Sequence, residues 1–88
     1  MAKKTDEQSM MSVTARAPFK IYFEGDAYSL TAYNRIGQFS ILPGHADFFS
    51  MLTAGEVEIV SDETTTSFDI HRGLIVVRDN EVSLFVNV

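Results

Sequence analysis

Two histidines and a scatter of carboxylates are the residues of this chain that could move a proton or hold a metal. Asp69 stands two residues before His71, and on an extended backbone residues two apart project from one face. A carboxylate beside an imidazole is the orienting half of a general-base system. The other half is missing, because neither a nucleophile nor an oxyanion donor accompanies the pair. His45 and Asp47 repeat the spacing with the same shortage. Glu56 and Glu58 also share a strand face, but a carboxylate pair without a cleft is a solvated face. Two His among dispersed acids lack zinc spacing. With no cysteine the chain offers no thiolate ligand, thiol nucleophile or disulfide. It has no Gly-rich phosphate loop, so no cofactor is expected. These residues predict a protein that is not an enzyme on its own.

Charge narrows the partners. The formal net charge is −5 at pH 7, whereas nucleic acid and anionic lipid both demand a basic surface. Residues 1–9 carry two Lys, one Asp and one Glu, so the whole excess of acid falls on the remainder. No apolar run approaches the roughly 18 residues that span a bilayer. The first nine residues also lack the apolar core of a signal peptide. Direct membrane insertion is therefore not expected. At 88 residues the chain makes one domain.

Those residues must be positioned by strands. Residues 1–10 are polar and aperiodic and are expected to form a disordered tail, with the domain running over 11–88. Ser12 to Ala17 reads as a first strand, ended by Pro18. Phe19 to Tyr33 holds two strands joined at Gly25-Asp26, with Tyr28, Leu30 and Ala32 on one face. Asn34 to Gly37 is a loop. Phe48 to Leu52 is one helical turn or a short strand, and Phe48, Phe49, Met51 and Leu52 are assigned to the core. In Glu56 to Val60, Val57 and Ile59 face inward. Thr65 to His71 follows, with Phe68 and Ile70 inward. Leu74-Ile75-Val76-Val77 is continuously apolar, as for a strand covered on both sides. Asp79-Asn80 tolerates left-handed φ and suits a two-residue hairpin. The last strand sets Val82, Leu84, Val86 and Val88 on one face and Phe85 on the other. Short strands with turns every 8 to 12 residues indicate an all-β sandwich or barrel.

One stretch breaks this pattern in a particular way. In Gly37-Gln38-Phe39-Ser40-Ile41-Leu42-Pro43-Gly44-His45-Ala46, polar and apolar residues alternate and then Pro43-Gly44 halts the strand. Proline sets φ and glycine accepts φ > 0, so the pair makes a tight corner that holds His45 in place. This Ile-Leu-Pro-Gly-His-Ala run resembles the N-terminal β-sandwich domain of the epsilon subunit of F-type ATP synthases (delta in mitochondria). Phe23 to Leu30 is similar to that family's opening hairpin. Leu52 to Ile59 stands where the family has Leu-x-Pro-Gly-x-Val-Arg-Ile, and Gly73 to Val77 with Asn80 to Phe85 resembles its last hairpin. The likeness covers roughly residues 12 to 88. Departures are Ser40 for a Gly, Asp47 and Ala54 each for a Pro, Glu58 for a basic residue, and His71-Arg72 for Ser-Gly.

The resemblance implies a two-sheet β-sandwich of roughly eight to ten short, mostly antiparallel strands. It also implies a non-catalytic rotor subunit, peripheral on the cytoplasmic face of the energy-coupling membrane, whose partners are the gamma subunit and the c-ring. The family's C-terminal helical hairpin has no counterpart in this sequence. By the same resemblance the partner-binding candidates are Gln38, Leu42, Pro43, Gly44, His45 and Phe85. Three of them have a plainer reading: His45 caps backbone groups freed by Pro43, Gln38 is a solvated strand residue, and Phe85 is buried or a lone surface apolar residue. A free-standing β-sandwich adaptor is the alternative function, motivated by Glu58 and His71-Arg72.

Overall fold

Alternating apolar and polar residues fold here as strands because each can bury one side and wet the other. The computed structural model describes residues 10–62 and 64–87. The strands are β1 (Met11–Ala17), β2 (Lys20–Ala27), β3 (Ser29–Asn34), β4 (Gly37–Ile41), β5 (Phe48–Leu52), β6 (Gly55–Val60), β7 (Thr65–Ile70), β8 (Gly73–Arg78) and β9 (Glu81–Val86). They form a five-stranded sheet in the order β2-β1-β9-β8-β5 and a four-stranded sheet in the order β4-β3-β6-β7. Pairings are antiparallel apart from β1 with β9, which is parallel. The all-β sandwich expected from the sequence is the observed fold. Of the disordered tail expected over residues 1–10, all but Met10 lies outside the described residues.

The inner faces supply the core: Val13 and Ala15 of β1, Leu30 and Ala32 of β3, Val57 and Ile59 of β6, Ile75 and Val77 of β8, and Val82, Leu84 and Val86 of β9 are buried. Among the described residues no polar or charged one is buried. Aromatic pairs close the two long sides, where the sheets end. Tyr22 of edge strand β2 stacks on Phe68 of edge strand β7 at 4.4 Å between centroids. Phe39 of β4 meets Phe48 of β5 at 5.5 Å. Tyr22 can reach across because the β1–β2 register jumps from Ala15↔Phe23 to Arg16↔Ile21, which leaves Tyr22 as the extra residue of a bulge.

Three expectations are corrected. The joint inside Phe19 to Tyr33 lies at Tyr28, not at Gly25-Asp26. β2 and β3 belong to different sheets, so no hairpin joins them. The Tyr28 N–H donates to Val60 O at 2.7 Å as the chain crosses between sheets, and Gly25 stays inside β2 opposite Val13. β8 is not covered on both sides: Ile75 and Val77 are buried while Leu74 and Val76 are half-buried, since a two-layer sandwich covers one face of each sheet. Phe49 and Met51 are not core. They are 65% and 63% exposed, whereas Phe48 packs against the core and Leu52 is buried. A strand of five residues cannot turn all its apolar side chains to one side.

Candidate functional site

The corner is a β-turn. Pro43 and Gly44 occupy its two central positions, Gly44 has φ +83°, and the His45 N–H donates to Leu42 O at 3.0 Å. Pro followed by a residue with φ near +80° is the type II pattern, so the local sequence alone encodes this bend. The turn carries the chain from β4, an edge of one sheet, to β5, an edge of the other. Leu42 is 55% exposed, His45 and Gly44 are exposed and Pro43 is half-buried. The His45 ring sits edge-on to Phe48 at 5.5 Å, and its Nδ1 lies 2.7 Å from Ala46 O, to which Nδ1–H donates. The imidazole therefore braces a carbonyl on its own side of the turn rather than a group freed by Pro43. Nε2 is left pointing away from that bond as the polar atom a partner could meet.

A second loop clasps this corner. The Gly44 N–H donates to Asn80 Oδ1 at 2.8 Å, and the Asp79 N–H donates to Asp47 Oδ1 at 3.3 Å. Each loop offers a side-chain oxygen to the other's backbone. Asp79 and Asn80 have φ of 50° and 65°, the left-handed pair expected of a two-residue hairpin between β8 and β9. Asn80 was foreseen for its backbone; nothing in the sequence signals that its carboxamide reaches a residue 36 positions earlier.

The six candidates do not converge on one point. Leu42, Pro43, Gly44 and His45 lie at one end of the sandwich. Gln38 is exposed near the far end of β4, roughly 13 Å from Leu42 at the rise of an extended strand, with its Nε2 donating to Tyr33 Oη at 3.3 Å. Phe85 stands on neither. It is 37% exposed on the outer face of the five-stranded sheet, where the register sets Ile21, Arg16, Phe85, Leu74 and Met51 in one row across five strands. The next row holds Glu24, Thr14, Ser83, Val76 and Phe49.

Phe49, Met51, Leu74, Val76 and Phe85 are therefore contiguous on adjacent strands. Ile36, 96% exposed in the β3–β4 turn, lines a shallow groove with Phe49 and Met51. Phe19 and Ile21 line another beside Phe85, together with Arg16 and Lys20. A contiguous outward apolar face, unlike scattered surface residues, is a candidate interaction surface. Phe49 and Met51 were missed because Phe48-Phe49-Ser50-Met51-Leu52 contains two apolar sets of period two. The one polar residue, Ser50, sits in the set that turns inward with Phe48 and Leu52, so polarity pointed the wrong way.

Asp69 and His71 are both exposed, and the His71 N–H donates to Asn87 Oδ1 at 2.8 Å. Glu56 and Glu58 are exposed on the outside of the four-stranded sheet. Among the described residues no three His, Asp or Glu are grouped to hold a metal ion.

The model of the β-sandwich domain of ATP synthase delta/epsilon chains matches residues 10–88. The ATP synthase epsilon chain of Leptospira borgpetersenii is 34% identical over 77 residues, covering 88% of this chain and 61% of that protein. That of Synechococcus elongatus is 33% identical over 79 residues, covering 88% and 58%. Among solved structures, a chain of the Euglena gracilis mitochondrial ATP synthase (OSCP, F1 and c-ring) superposes with a TM-score of 0.80 at 18% identity, over 88% of this chain and 50% of that one. The chain thus spans about three fifths of the curated relatives it matches. The structural likeness shows the shared sandwich, and the sequence matches show the descent: this chain belongs to the family of the ATP synthase delta/epsilon β-sandwich domain.

Proposed function

We propose that the chain is a rotor component in the central stalk of an F-type ATP synthase, docked on gamma by the outer face of its five-stranded sheet. Its proline corner meets gamma or the c-ring. It performs no chemistry, and turns with the rotor to pass torque between ion flow and nucleotide sites held by other subunits. It sits peripherally on the cytoplasmic face of the energy-coupling membrane; among the described residues no helix is long and apolar enough to cross one.

The observation that carries this reading is the uncovered apolar face centred on Phe49, Met51 and Phe85. Interface centres are rich in aromatic and Met side chains and poor in charge, as this face is. A closely packed double sheet also resists shear, which suits a torque-bearing part. Glu58 and His71-Arg72, which motivated a free-standing adaptor, lie on the opposite sheet's outer face and in the β7–β8 turn. Neither changes the apolar face or the corner.

Affinity-tagged chain purified from its own detergent-solubilised membranes should retain gamma and c subunits. His45→Ala should lower that retention about tenfold, the effect of losing one interface residue of above-average weight, without moving the melting temperature. A preparation free of gamma would defeat the rotor reading. Undiminished retention by the His45→Ala protein would remove the corner from it.

A further inference from the structure

We infer that Asn80 is a positioning residue of the docking corner: from the β8–β9 turn it sets the pose in which Gly44 and His45 are presented. The inference rests on the reading of that corner as a contact surface. Four observations converge on this one side chain and its turn. Its Oδ1 accepts from Gly44 N–H at 2.8 Å, its Nδ2 donates to Met10 O at 2.8 Å, and its own carbonyl accepts from Ser12 N–H at 3.1 Å. Asp47 returns the contact through Asp79 N–H at 3.3 Å.

The corner needs such a hold. The type II turn fixes its own internal shape through His45 N–H and Leu42 O, but a turn that joins two sheets is free to swing as a unit about its ends. Gly44 N–H is the group on the outer bend, and with its donor directed at Asn80 the turn has one orientation relative to β8 and β9. A left-handed residue is required at position 80, where φ is 65°. Glycine, aspartate and asparagine all satisfy the backbone, but only the last two supply an acceptor for Gly44. Backbone geometry and clasp can thus be separated by substitution.

Three proteins test this: the parent, Asn80→Gly and Asn80→Asp. Asn80→Gly keeps the turn and removes both side-chain bonds, whereas Asn80→Asp keeps the acceptor for Gly44 and loses the donor to Met10. Amide proton exchange of Gly44 and the temperature coefficient of its NMR shift report the clasp directly, whatever the partner. In Asn80→Gly the Gly44 amide should exchange about five- to tenfold faster, the loss of one hydrogen bond's net contribution, and gamma retention should fall by a similar factor. Asn80→Asp should restore both. A merely structural role would move the melting temperature and exchange throughout β8 and β9, and aspartate would not rescue it selectively. An unchanged Gly44 amide in Asn80→Gly overturns the clasp. A freed amide with full gamma retention overturns its positioning role. If the parent itself retains no gamma, the rotor reading fails instead, and the amide measurement still decides the clasp.

Discussion

Gly73→Ala is expected to lower the melting temperature by roughly 15 °C, a large loss for a single methyl group. Gly73 begins β8, is buried, and pairs with Leu52 on one side and Val86 on the other. A Cβ there would stand 2.8 Å from Phe85 O, 3.1 Å from Val86 Cγ1 and 3.3 Å from Val86 Cα. Two of those atoms are backbone in the middle of the sheet and cannot rotate away. Relief therefore requires β8 and β9 to part, at the junction that holds β5 to the rest of the sheet. Overpacking of this kind costs about 2–3 kcal/mol, and in so small a domain each kcal/mol moves the midpoint by about 4–8 °C.

Gly44→Ala is the comparison. No atom lies within 4 Å of its Cβ position, and only the φ of +83° opposes it, so about 1 kcal/mol is expected. Differential scanning calorimetry of the two proteins decides the matter. Equal melting points would mean that the β8–β9 junction yields far more easily than its geometry implies.

Phe85→Glu is expected to abolish gamma retention while leaving the fold in place. Phe85 lies on the central strand of this sheet, with Leu74 beside it on β8 and Met51 beyond on β5. At 37% exposure its ring already meets water in the isolated chain, so a carboxylate there stays solvated and costs the monomer little. If gamma covers this face as proposed, the same carboxylate is stripped of water without a partner, a penalty of about 2–5 kcal/mol that weakens binding at least thirtyfold. Glu58→Lys on the outside of the other sheet is the matched control, because it changes charge by more and should leave retention intact. If Glu58→Lys released gamma and Phe85→Glu did not, the docking face would have been assigned to the wrong sheet.

The adjoining loops extend this face in a direction the charges suggest. Arg16 and Lys20 stand beside Phe19, Ile21 and Phe85 at one end, while Arg35 stands beside Ile36, Phe49 and Met51. A partner covering both grooves would meet aromatic and aliphatic contacts flanked by cations on an otherwise acidic protein.

By itself the sequence determined whatever depends on neighbours a few residues apart. Period-two alternation assigned Val57 and Ile59, Phe68 and Ile70, and Val82, Leu84 and Val86 to the inside, because a strand's side chains must alternate. Pro43-Gly44 and Asp79-Asn80 specified their turns because φ is a local property of those residue types. Sequence pattern also sufficed for family membership and the sandwich fold. It misjudged matters that depend on which strands become neighbours. The continuous apolar run of β8 gave no sign that one face would remain open, since that depends on the number of layers. Phe49 and Met51 looked like core because apolar character is the same on either side of a strand. Only the assembled sheet, which lines them up with Leu74, Val76 and Phe85, made them a surface. Tertiary structure alone also brought Asn80 to Gly44 and Asp47 to Asp79, because contacts between loops more than 30 residues apart arise from strand order and leave no local trace.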